Sequence, residues 1–213
     1  MSHKNFFITL SVLFFIEFVV LSISPYNRED WALENVLVLV FALFIAWSYK
    51  KFPLSKLSYS LMFLFLSLHE IGAHYTYSHV PYDALFMSSF NFSLNEQMGW
   101  SRNHFDRLAH FLYGLLLAYP VRELYCRVIN MPGFWGYFFP LNLIMAASMT
   151  YELLEWGAAE LFGGDLGIAY LGTQGDVWDA HRDMALASLG ALIAMSITMF
   201  IHTRIKRKED VTL

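Results

Sequence analysis

Residues 68–75 place two imidazoles and a carboxylate, His69, Glu70 and His74, at the end of an apolar run that begins near Leu57. Such groups ligate divalent metals or move protons, and both tasks need partners from elsewhere in the chain. On a helix Glu70 and His74, four apart, share a face, while His69 lies about 100° round from Glu70. Similar spacings recur downstream. Asp106 and His110 are four apart, Glu152 and Glu155 three apart, and Asp179 and Asp183 four apart with Asp176 just before them. Facing helices of a bundle present metal ligands in this way. The chain reads His69-Glu70-Ile71-Gly72-Ala73-His74, one residue longer than the zincin H-E-x-x-H, so that protease motif is absent.

The elements that must position these residues are set by hydropathy. Only 15% of the chain is charged and its mean hydropathy is +0.44, whereas soluble proteins average about 25% charged. The class is therefore an all-α integral membrane protein in one domain. A span takes about 20 mostly apolar residues, and six stretches answer to that: 6–23, 31–49, 57–75, 104–119, 134–156 and 179–202. The first is too long for a signal-peptide core and no small-x-small site precedes Pro25, so it stays as a span carrying Glu17. Residues 75–102 form a polar, aromatic loop in which 80–92 suit the interface. The single cysteine, Cys126, excludes an intrachain disulfide and a Cys-rich zinc site.

Lys4, Lys50, Lys51, Lys56, Arg122, Arg127 and the basic run at 204–208 fall on one side of a six-span bundle. Glu29, Asp30, Asp83, Glu96, Glu160, Asp165 and Asp176 fall on the other, so the positive-inside rule puts both termini in the cytoplasm. That run is an inside anchor, and no nucleic-acid surface is expected. In this topology His69, Glu70, His74, Asp106, His110, Glu152, Glu155, Asp179 and Asp183 reach one outer-leaflet level from four spans. The inner halves of those spans carry almost no such residues.

Several carboxylates at membrane depth cannot all ionise without a cation or shared protons. One solution is a metal ion, for which His nitrogen with Asp and Glu oxygen suits zinc, manganese or iron. The other is a proton-sharing network with Arg102, Arg107 or Arg182 as counter-charges. A purely structural interhelical network returns only about 0.6 kcal/mol per hydrogen bond in membranes, a weak reason to bury so many acids. His69 reads equally as a ligand or as a donor behind one. Tyr75, Tyr77, Trp100, Trp156 and Trp178 read as interfacial belt residues. The glycine-rich turn at 172–175 reads as a device that aims Asp176 and Asp179.

The stretches 69–77, 102–111, 151–156 and 172–184 resemble the bacterial YjdF family, small inner-membrane proteins carrying a domain of unknown function. The likeness covers nearly the whole chain and implies a six-span inner-membrane protein. A more distant pattern is similar to the VanZ-like proteins associated with glycopeptide resistance. It runs through Asp106 and His110, Glu152 and Glu155, then Asp183, Ala187 and Gly190, with Ala187 where those proteins carry Asn. That resemblance implies a shared scaffold.

The expectation is a membrane protein with an outer-leaflet site formed by the nine residues above and binding a divalent ion. Its leading function is metal-dependent hydrolysis of a lipid or lipid-linked envelope substrate, with Glu70 or Glu155 as general base. The alternative is a non-catalytic binding protein or an ion or proton transporter using the same acids.

Overall fold

The computed structural model describes the backbone of residues 1–131 and 133–211, and side chains apart from those at 169 and 206–211. Lys206, Arg207 and Lys208 of the basic run lie outside the described side chains. Among the described residues the chain forms nine helices and no strand. In order these are α1 (His3–Leu21), α2 (Arg28–Lys51), α3 (Lys56–His74), α4 (Tyr82–Phe90), α5 (Leu94–Met98), α6 (Phe105–Val128), α7 (Trp135–Phe162), α8 (Gly164–Leu171) and α9 (Asp179–Val211). At about 1.5 Å per residue the shortest of the six long helices, at 19 residues, is roughly 28 Å long, close to the hydrocarbon thickness of about 30 Å.

Helix starts follow local chemistry. Ser2, Asn27 and Ser55 cap α1, α2 and α3 by accepting backbone N–H groups. Glu29 and Asp30 open α2 and Lys50 and Lys51 close it, each sign matched to the helix dipole. Helices α6, α7 and α9 outrun their apolar stretches at their carboxy-terminal ends. Helix α6 continues past Tyr119 and Pro120 to Val128, because a single proline removes one N–H and its neighbours absorb the loss. Its extension has a purpose: Glu123 accepts from the Ser55 N–H at 2.8 Å and from the Ser55 and Ser58 hydroxyls at the start of α3. Helix α7 passes Pro140 and runs to Phe162, beyond residue 156. Residues 75–102 hold α4 and α5, tied together by Asp83, which accepts from Ser93 Oγ and Asn95 N, both at 2.9 Å. The Asn95 N–H, ahead of the hydroxyl, keeps the Asp83 carboxyl below its ordinary value.

The six long helices run between two ends. At one end His3 bonds the Leu54 carbonyl at 2.7 Å, Lys56 bonds the Met1 carbonyl at 2.8 Å, and Tyr137 meets His202 at 2.9 Å. At the other, His74 Nδ1 lies 2.7 Å from the Leu21 carbonyl. Among the described residues three helices, α1, α2 and α9, are long and apolar enough to cross a membrane. Helices α3, α6 and α7 are at least as long as α1. Helix α1 buries none of its residues and packs on α3, leaving Phe15, Val12 and Val20 exposed to lipid.

The closest contact is between α6 and α9. A Cβ at Gly114 would sit 1.9 Å from the Ala187 carbonyl oxygen, and one at Gly190 would sit 2.1 Å from the Phe111 carbonyl oxygen. Each glycine thus lets one backbone touch the other, and Ala118, Ala187, Ala191 and Ala194 continue the small-residue seam, all buried. Gly114→Ala or Gly190→Ala therefore forces the helices apart and lowers stability by about 1–3 kcal/mol or more. Gly157→Ala, on α7 with nothing within 4 Å of its Cβ, should be neutral or gain about 0.5–1 kcal/mol. Thermal unfolding of the three variants in one detergent checks the ranking, and equal melting points would refute the seam.

Candidate metal centre

The seam also positions the acids. Asp106, His110 and Gly114 fall four apart along α6, and Asp183 and Ala187 four apart along α9, so each stripe carries its polar residues beside its contact point. One ligand atom from each of Asp106, His110 and Asp183 lies within 4.8 Å of the others. Helix α7 adds Glu152, whose Oε1 is 3.6 Å from His110 Nε2, as is Asp106 Oδ1. Asp183 is 2% exposed, and its Oδ1, like Glu152 Oε1, is buried with no hydrogen-bond partner. Buried carboxylate oxygens left bare are costly. Two carboxylates and an imidazole converging from two helices, with a third carboxylate alongside, are a donor set for a divalent cation.

Glu155, one turn after Glu152, lies in a small polar pocket with Asp30, Glu34, Tyr77, Asp106 and Tyr170. Asp30 and Glu34 are buried on α2, and Tyr151 of α7 donates to Glu34 Oε2 at 2.9 Å. Tyr77 reaches the site by an unusual route. Thr76 and Tyr77, straight after α3, both have left-handed backbone, with φ of 50° and 52°. That turn folds the Tyr77 ring back over Gly72, where a Cβ would meet it at 2.5 Å, and its hydroxyl lies 2.5 Å from His69 Nδ1. Strain of this sort costs about 1–3 kcal/mol and collects at working sites.

Below this polar level a cavity of about 810 Å³ opens between α2, α3, α6 and α7. His69, Tyr77, Asp106, His110 and Tyr151 line one end of it, and Leu54, Leu117 and Leu124 the other. Asp106 and Tyr77 border both this cavity and the small polar pocket.

The nine expected residues are thus not all in one place. Asp106, His110 and Asp183 close on each other, Glu152 stands beside His110, and Glu155 lies in the adjoining pocket. His69 faces the cavity. Glu70 and His74 share the opposite face of α3, towards α1: His74 bonds the Leu21 carbonyl, and Glu70 is fully buried with both oxygens unpartnered. The 100° between His69 and Glu70 divides that motif between two environments. Asp179 is held by guanidinium groups, 2.9 Å from Arg102 Nη1 and 3.3 Å from Arg107 Nη2. Arg107 and Arg182 also bond Asp176. The Trp178 N–H, and then Arg182 and Arg107, hold the Asp176 carboxyl below its ordinary value. The turn at 172–175 is pinned to this cluster, with Arg102 donating to the Thr173 carbonyl at 2.6 Å and Gln174 bonding both the N–H and the carbonyl of Asn103. The arginine network therefore lies above and the bare carboxylates beneath it.

A family described as "Predicted membrane protein (DUF2238)" matches residues 6–204. The chain belongs to that family. It is also 35% identical over 187 residues to the inner membrane protein YjdF of Escherichia coli (strain K12), covering 87% of this chain and 85% of that one. No solved structure matches. The chain is a helical protein of the bacterial inner membrane. The likeness to VanZ-like proteins rests on the residue pattern alone.

Asp30, Glu34 and Tyr151 were not among the expected site residues. Glu34 was the legible one, an acid inside the apolar stretch 31–49 and four residues after Asp30. Removing both guanidinium groups from Asp179, 4% exposed, strands a buried charge. Arg102→Ala/Arg107→Ala should cost about 3–5 kcal/mol, and adding Asp179→Asn should restore part of it. Unfolding of the double and triple variants measures this, and no recovery would deny the coupling.

Proposed function

We propose that this protein is a metal-dependent membrane hydrolase with its site at the outer leaflet and both termini in the cytoplasm. The excess of basic residues at one end supports that placement: Lys4, Lys50, Lys51, Lys56, Arg122 and Arg127 lie at the end opposite the site, while Arg102, Arg107 and Arg182 at the site end are engaged by Asp176 and Asp179. A carboxy-terminal fluorescent-protein fusion should therefore fluoresce, and an alkaline phosphatase fusion at the same point should be inactive. The reverse result would invert the site's address.

The observation that carries the proposal is the convergence of Asp106, His110 and Asp183, the last of them buried with its Oδ1 lacking a hydrogen-bond partner. In this reading these three residues would hold a zinc, manganese or iron ion, with Glu152 beside His110. An ion there would supply a water of lowered pKa and polarise an ester oxygen. Glu155, in the adjoining pocket with Asp106, would serve as the base that takes a proton as the water oxygen bonds to the ester's phosphorus or carbonyl carbon, and would return it to the leaving oxygen as the ester bond breaks. Glu70, on the α1 side of α3, is left a structural role. The transport alternative needs polar groups along the whole path, and the cavity becomes apolar away from the site.

Elemental analysis of protein purified without chelator should give about one transition-metal ion per chain. His110→Ala and Asp183→Asn should lose it, while Glu155→Gln should keep it and lose turnover by about 10²–10⁴-fold. A metal-free wild type would refute the hydrolase reading.

A further inference from the structure

From the cavity beneath the metal centre we infer that the substrate is a membrane phospholipid that enters sideways and lays one acyl chain along α6. This rests on the proposed hydrolase reading for the place of the headgroup, while the chain site rests on the cavity itself.

Three features identify the occupant. The first is the polarity gradient. The cavity begins at Asp106, His110 and Tyr151 and ends at Leu54 and Leu124, so a molecule filling it is polar at one end and hydrocarbon along the rest. The second is length. Asp106 and Leu124 both line it and stand eighteen residues apart on one helix, roughly 27 Å at about 1.5 Å per residue. One leaflet's hydrocarbon is about 15 Å deep, half of about 30 Å, so a whole acyl chain fits with its headgroup at the acids. The volume, about 810 Å³, lies in the range of dedicated ligand sites.

The third feature is the entrance. Val40 and Phe44 of α2 and Leu143 and Leu154 of α7 line the cavity and are exposed at the same time. They form the lips of a gap between α2 and α7, bridged at its polar end by the Tyr151–Glu34 hydrogen bond. In a bilayer this gap faces acyl chains, so a lipid reaches the site without leaving the membrane. A water-soluble substrate has no use for such an opening. A divalent ion at Asp106, His110 and Asp183 offers positive charge to a headgroup phosphate, which those acids alone would repel.

The test is photo-crosslinking of full-length protein in bilayer nanodiscs containing phosphatidylethanolamine with a diazirine midway along one acyl chain. Adducts should concentrate on the peptides of α6 and α7 that line the cavity. Ala147→Trp, which fills it, and Val40→Trp, which blocks its lip, should each cut that labelling at least tenfold while keeping bound metal, and Ile16→Trp on the outward face of α1 should leave it unchanged. Labelling spread evenly over lipid-facing helices, or undiminished in both blocked variants, overturns the inference. Metal content separates the two readings. Cavity labelling in a protein that binds no metal supports the chain site and sinks the hydrolase, and a bound metal without cavity labelling sinks the lipid inference alone.

Discussion

The backbone contact between α6 and α9 is the constraint on which the rest of the molecule depends. Lipid tails are as apolar as leucine, so helices in a membrane gain nothing from hydrophobic burial against each other and hold by close packing. Gly114 and Gly190 remove the side chains that would keep these helices apart. At that separation Asp106 and His110 on one helix meet Asp183 on the other. The glycines and the ligand donors share the same helical stripes, so the packing seam and the site are one structural device. Helix α7 then packs against both and delivers Glu152.

Charge is handled in two tiers. Near the loops Asp176 and Asp179 are neutralised by Arg102, Arg107 and Arg182, whose forked groups match paired carboxylate oxygens. One turn deeper, Asp183 and Glu152 have no such partner. Arginines that served every acid would leave no donor atoms for a cation, and acids with no arginines nearby would strain the loop that carries them. The division lets the upper tier lock the turn at 172–175 while the lower tier stays available. On the other side, the left-handed pair Thr76 and Tyr77 brings an aromatic hydroxyl to His69, so α3 contributes to the site from beyond its own end.

Polar groups at one end and an apolar cavity at the other suit chemistry on a molecule that is itself amphipathic. In the proposed reading the gap between α2 and α7 is the approach to the site from within the bilayer. Helix α1, with no buried residue, closes the far side of α3 and turns its remaining surface to lipid.

What the sequence by itself determined was the class and the long helices. Apolar runs of about twenty residues dictate helices, since only they satisfy the backbone in lipid. Acids and histidines clustered at one depth predict a polar level whatever the packing. Pairs spaced at four, such as Asp106 with His110, predict a shared face because helical geometry is local. Tertiary structure decided which faces meet. The Glu70 and His74 pair obeys the same spacing as Asp106 and His110, yet it points at α1, because the rotation of α3 is set by its neighbours. Asp179 was taken up by Arg102, seventy-seven residues away, and Glu34 was drawn in by Tyr151, one hundred and seventeen residues away. Contacts of that range depend on how helices cross, which spacing along a chain does not encode.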